Sequence, residues 1–336
     1  MTSIYLTEPG TKVSYHNQQL QIKQKSRQVI TRLAEIDLLV LFPGVQLTDV
    51  AIAVLMDQGI ETIFLRRDGQ FRGRLQGQFA TNPLTRIAQY RVLDSTFGTA
   101  LAQRLILGKV TNQRAILQRR HRDTGKKNNA LAEAIDLIGA YRLSLRSGLG
   151  NSSRDQLMGI EGICAKHYYQ VFQFCLPEGW SFTGRNRRPP KDPVNALLSW
   201  GYGVLLARVF SAIVQAGLDP YLGFFHATQP YRPNLALDLM EEFRPVVVDQ
   251  AIVRLLRSGI LDPLDFEPSY DGLGIWLGIT AKKLFLTELE SILQTSFLYS
   301  PQSRRLKLQQ IILEQARCLG RCCLESSLDY EPFTLS

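Results

Sequence analysis

Period-two alternation of apolar and polar residues runs through the first eighty positions and gives way to a helical period beyond Pro83. Lys12 to Tyr15 and Gln19 to Ile22 alternate on either side of His16-Asn17-Gln18, which predicts a β-hairpin. Leu38 to Phe42 and Ile60 to Leu65 are apolar runs of strand length, and Asp68-Gly69 turns the second back into Phe71 to Leu75. Between them Thr48-Asp49 opens a short helix over 50 to 57 that Gly59 ends. Residues 4 to 80 thus read as a small β-rich domain with one helix. Farther on, segments near 84–118, 128–147, 154–174, 193–216, 234–257, 279–295 and 301–324 carry the helical period. The polar stretch from Gly77 to Asn82 reads as the join. The expected fold is α+β: a β-rich domain over 1–78, a linker over 79–83 and a larger all-α domain over 84–330.

A chain of 336 residues suits two such domains and shows no internal repeat. Lys and Arg number 39 against 30 Asp and Glu, a net charge of +9 that favours a polyanionic partner. The five cysteines are an odd set with no secreted-domain spacing, so reduced thiols are expected. The first residues lack a basic stretch followed by an apolar core, and no run reaches about 18 apolar residues. A cytoplasmic protein without membrane contact is therefore expected. Neither a Walker lysine loop nor a dinucleotide glycine fingerprint is present.

Candidate chemistry concentrates in two segments. In Gly223 to Arg244 a histidine, His226, precedes a proline-bounded loop and a helix with acids at Asp238 and Glu241. Residues three apart share a helix face, so both carboxylates can point back toward the loop. Upstream, positions 157, 161, 164, 168 and 172 form one helical stripe reading Leu, Glu, Cys, Tyr, Phe. Glu161 is thus an acid on an apolar face. Burying it unpaired would cost several kcal/mol, so it needs a cation or a strong donor. A metal ion, a buried Glu–Arg pair, or a helix end open to water would each satisfy it.

Four stretches together, Gly159-Ile-Glu-Gly162, Asp192 to Tyr202, Gly223-Phe-Phe-His226 and Leu237 to Pro245, resemble the CRISPR-associated integrase/endonuclease family, the universal spacer-acquisition subunit of CRISPR adaptation. The resemblance covers nearly the whole chain. It implies a β-sandwich-like N-terminal domain that helps form a homodimer, and an all-α catalytic domain. It also implies metal ligands at Glu161, His226 and Glu241, with Mg²⁺ or Mn²⁺ as cofactor and Asp238, Asn195 and Tyr202 close by. Some members carry Asp where this chain has Glu241. The implied reaction is transesterification, in which the 3′-hydroxyl of a captured DNA fragment attacks a repeat boundary, with nuclease activity on branched DNA as its counterpart. The implied partners are DNA and a small ferredoxin-like subunit bridging two dimers.

Basic residues cluster twice. Arg114, Arg119, Arg120, Arg122, Lys126 and Lys127 face one acid between Thr111 and Lys127, and Arg185, Arg187, Arg188 and Lys191 fall within 184–191. Such clusters neutralise phosphates without reading bases, or else form a solvated face. Lys166 and Tyr168 follow Glu161 on its helix, where an aromatic could stack on a splayed base or simply pack. Asn195 is expected to cap the helix after Asp192-Pro193. Two competing functions use the same residues: a metal-dependent repair or junction nuclease with no CRISPR role, and a non-catalytic nucleic-acid scaffold.

Overall fold

The computed structural model describes residues 2–25, 27–77, 82–148, 152–187, 189–226, 229–269 and 272–335. The chain divides into two compact units, Met1–Thr81 and Asn82–Ser336. Arg188 and most of the expected linker lie outside the described residues.

The first unit contains β1 (Thr2–Leu6), β2 (Lys12–His16), β3 (Gln19–Gln24), β4 (Arg27–Arg32), β5 (Ile36–Leu41), β6 (Gln46–Leu47), α1 (Asp49–Asp57), β7 (Glu61–Leu65) and β8 (Phe71–Arg74). Two four-stranded sheets result, ordered β1-β5-β7-β8 and β4-β3-β2-β6. Leu6, Leu39 and Leu41 of the first sheet, Val13, Leu20 and Ile22 of the second, and Leu55 of α1 share one core. The expected hairpin forms around Asn17 and Gln18, both at positive φ (50° and 62°), as a two-residue turn matched to strand twist requires. Thr48 caps α1 by accepting from Ala51 N at 3.3 Å. At the sheet edge, β4 leaves Val29 and Ile30 exposed.

The second unit is built from α2 (Pro83–Val92), α3 (Thr96–Asp123), α4 (Asn129–Ser147), α5 (Arg154–Val171), α6 (Pro193–Gln215), α7 (Asn234–Phe243), α8 (Gln250–Arg257), α9 (Ile279–Leu293) and α10 (Leu308–Glu325). Several expected boundaries move. The helix expected over 84–118 is two, because Ser95 leaves the helical conformation to cap α3, accepting from Gly98 N at 3.1 Å. The helix expected over 234–257 changes pitch at a π-helical segment, Arg244–Asp249, where Pro245 has no N–H to donate. The unit is also not purely helical. Two short antiparallel ribbons, β9 (Phe266–Pro268) with β10 (Ile275–Leu277) and β11 (Ser296–Tyr299) with β12 (Arg304–Lys307), replace part of the expected irregular and helical chain.

α3 packs against α4, α5 and α7, and its buried stripe contains Gln103, Lys109, Asn112 and Gln113 among apolar residues. α6 is long and apolar enough to span a membrane by composition, yet it is a core helix of this unit. Beyond α10 the chain returns across α3 and α7. Asn112 Nδ2 donates to the carbonyls of Glu242 and Phe333, and Leu335 N donates back to Asn112 Oδ1. The buried Glu242 carboxyl accepts from Tyr330 Oη, Gln315 Nε2 and Phe333 N. The C-terminal residues past 330 are therefore part of the packed unit.

Candidate active site

Glu161 on α5 and Glu241 on α7 meet at a residue of α3 that sequence reasoning passed over. The Lys109 ammonium bonds Glu161 Oε1 and lies 2.6 Å from Glu241 Oε2. The lysine is 8% exposed, Glu241 5% and Glu161 24%, so the cluster opens toward solvent on the Glu161 side. Arg244, one turn after Glu241, places Nε 3.3 Å from the other carboxylate oxygen. Burial disfavours ionised Glu241, but Arg244 and Lys109 outweigh it and hold the carboxyl down at about 2. Burial likewise works against the Lys109 charge, and Glu241 and Glu161 more than restore it. Glu241 and Lys109 thus each favour the other's charged form. The signal for Lys109 was there to read: a cation inside the apolar stripe of a long helix, the mirror image of Glu161 on α5.

His226 is held by Asp238. Asp238 is fully buried, and its Oδ1 accepts from His226 N at 3.0 Å and contacts Nδ1 at 2.6 Å, while Oδ2 accepts from Phe225 N at 2.8 Å. Gly223 permits this closeness, since a Cβ there would stand 2.5 Å from Asp238 Oδ2. The histidine therefore has Nδ1 committed and Nε2 available, the arrangement that orients metal-binding imidazoles. Among the described residues no three His, Cys, Asp or Glu side chains stand together as a metal site. The acids that the sequence grouped with His226 meet on Lys109, and the imidazole meets Asp238. The donor set nonetheless has the chemistry for a hard divalent ion: two carboxylates and an imidazole whose Nδ1 is already engaged.

A wall of aromatic and polar groups adjoins the acids. Tyr202 and Tyr168 donate to the two oxygens of buried Asp249 at 2.5 and 2.8 Å, and Tyr169 lies 2.8 Å from the Tyr202 hydroxyl. Since Tyr202 spends its proton on Asp249, Tyr169 is the donor to it. The Arg244 guanidinium lies 4.7 Å from the Tyr202 ring centre. Asn195 does not cap its helix. Asp192 does, accepting from Asn195 N at 2.8 Å, while the buried Asn195 amide accepts from Arg185 Nη1 and Asn186 N and donates to the Gly184 carbonyl.

Residues 4–291 match the family model described as CRISPR associated protein Cas1. The chain belongs to the Cas1 family. It is 38% identical over 298 residues to CRISPR-associated endonuclease Cas1 2 of Rhodospirillum rubrum, covering 85% of each chain. With Cas1 3 of Thermus thermophilus the identity is 32% over 336 residues, 99% of this chain and 97% of that one. Among solved structures, a casposase bound to integration product superposes with a TM-score of 0.84 at 22% identity, covering 98% of this chain and 93% of the other. A CAS1 protein from Thermotoga maritima superposes at 0.82, also at 22% identity, covering 99% and 100%. These likenesses show a shared Cas1 fold: a strand-rich region followed by a helical one.

Within this Cas1 chain the proposed DNA-contacting residues separate into two groups. Arg119, Arg122, Lys126, Lys127, Lys166 and Arg187 are exposed. Arg114 turns inward, donating Nε to the Ile135 carbonyl on α4, and Arg120 donates to the Phe174 carbonyl. Arg185 is half-buried in the wall beside Tyr202. Tyr168 is fully buried and cannot stack on a base, because Asp249 requires its hydroxyl.

Burial pushes the Asp249 carboxyl up to about 6 from an ordinary 3.8, despite its two tyrosine donors. The folded state therefore holds a proton that the unfolded state has released across this window, and stability falls as pH rises through it. Relative to Asp249→Asn, the parent should lose roughly 3 kcal/mol between about pH 4 and pH 6, with a flat difference above. Denaturant titrations of both proteins across that range check this, and parallel curves would remove the assignment.

Proposed function

We infer that this chain is the Cas1 endonuclease and integrase of CRISPR adaptation, the enzyme that inserts captured DNA fragments as new spacers at repeat boundaries. The observation that carries the reading of its active site is the convergence of Glu161 and Glu241, from separate helices, on one buried cluster; His226, with Nδ1 held by Asp238, is the third residue assigned to the ion. Glu161, Glu241 and His226 are the residues that would hold a divalent ion, Mg²⁺ or Mn²⁺. When bound, such an ion supplies Lewis acidity at the phosphodiester.

The remaining groups have their own parts. Asp238 fixes the imidazole plane and tautomer. Arg244 holds Glu241 ionised and braces the Tyr202 ring. In strand transfer the fragment's 3′-oxygen bonds to phosphorus and gives up its proton, and the displaced 3′-oxygen of the repeat strand leaves and takes one up. One phosphodiester replaces another. The exposed cations at the end of α3 lie about ten to eighteen residues past Lys109, the first of them roughly 15 Å along the helix axis, where they would grip DNA outside the site.

Glu161→Gln, His226→Ala and Glu241→Gln should each reduce Mn²⁺-dependent strand transfer to background while circular dichroism stays native. Asp238→Asn should lose about 10–100-fold, since it acts through His226. Full activity in any of the first three, measured with a labelled fragment and matched metal titration, would sink the assignment.

Replacing Arg119, Arg122 and Lys126 with Ala should weaken binding to unrelated duplexes alike and flatten the slope of log K against log salt by roughly one to three units. An unchanged slope would mean that this end of α3 faces solvent in the complex.

We further propose that the β-rich unit pairs two copies, on the strength of the exposed β4 edge with Val29 and Ile30. In light scattering the full chain should be a dimer, and a chain beginning at Asn82 a monomer. Adding the small ferredoxin-like adaptation subunit should raise the full chain to the mass of two bridged dimers. A dimeric truncated chain would move the interface to the helical unit.

A further inference from the structure

Lys109 stands where a metal-binding reading of the site least expects a fixed positive charge. Its ammonium bonds one oxygen of Glu161 and one of Glu241, and Arg244 is paired with the second oxygen of Glu241. Two carboxylates thus already face two cations, before any divalent ion is counted. An ion using the same oxygens must either displace the ammonium or share them with it at close range, where like charges repel strongly. The lysine cannot escape this by retreating into the apolar interior, because a buried unpaired ammonium is prohibitively costly. It needs another anion. Glu161 is the most exposed of these side chains, at 24%, and its side is the one from which a phosphodiester would come.

We propose that Lys109 couples divalent-ion binding to DNA binding: its ammonium competes with the ion for Glu161 and Glu241 until a DNA phosphate offers it a different partner. The inference rests on the metal-site reading given above and goes beyond it. Lys109 suppresses ion occupancy in the free protein and then becomes a phosphate contact in the complex. By linkage, the ion and DNA tighten each other by the same factor. A Cas1 protein of this kind would be kept from hydrolysing DNA indiscriminately, because its site loads fully only on substrate.

The test measures Mn²⁺ binding by isothermal titration and by the electron paramagnetic resonance signal of free Mn²⁺. It uses the full chain with and without a saturating short DNA duplex, and compares parent, Lys109→Met, Lys109→Gln and Glu241→Gln. In the parent, DNA should tighten Mn²⁺ binding at least tenfold. Lys109→Met should bind Mn²⁺ at least tenfold more tightly than the parent without DNA, and its gain from DNA should be several-fold smaller. Lys109→Gln keeps a polar contact without the charge and should behave likewise, which covers a Met variant that folds poorly. If both variants bind Mn²⁺ as weakly as the parent, or gain as much from DNA, Lys109 is a structural counter-ion and the coupling is overturned. Absence of any Mn²⁺ binding sensitive to Glu241→Gln, in parent and lysine variants alike, would instead overturn the metal site, and the coupling with it.

Discussion

The ion cluster of Lys109, Glu161 and Glu241 is the constraint on which the helical unit's architecture turns. It joins α3, α5 and α7 through side chains that are partly or wholly out of water, and removing one partner of such a cluster typically costs about 3–5 kcal/mol because the others are left buried and unpaired. Helices that must keep three charges in register cannot slide past one another. The same requirement that rigidifies the fold also brings together carboxylates that would otherwise repel.

Around that cluster the supporting structure works by exhausting hydrogen-bonding capacity. Asp238 spends both oxygens on Phe225 and His226, and Asp249 spends both on Tyr168 and Tyr202. Neither carboxylate has an oxygen left without a donor, so each acts by fixing a neighbour. The π-helical turn between Glu241 and Asp249 sets the two on their respective partners. It swings Arg244 between the Glu241 carboxylate and the Tyr202 ring, a position reached through a local change of helical pitch. Pro245 makes that turn possible at low cost, since the N–H that a regular helix would need there is absent from its chemistry.

Kinship assigns the chain to the Cas1 family, and the shared fold extends across both units. The position of Lys109 and the saturation of Asp238 are properties of this chain's own side chains. They turn a list of acidic positions into an electrostatic arrangement with a definite balance of charge.

Much was legible from sequence because its causes are local. The hairpin at Asn17-Gln18, the cap at Thr48 and the acid at Glu161 on an apolar stripe each follow from residues within a few positions of one another. The same holds for the division between strand-rich and helix-rich halves. Failures arose where local pattern is silent or contested. Ser95 split one expected helix, and polar ribbons as short as Arg304–Lys307 lack enough alternation to register. Arg114 and Arg185 read as surface charge until backbone carbonyls and buried amides elsewhere in the chain claimed them. Above all, sequence established that Glu161 needed a partner, and only tertiary structure decided that the partner is Lys109. The choice depended on which face of α3 packs between α5 and α7, and that is settled by the burial of whole helices and by no short-range property of the lysine.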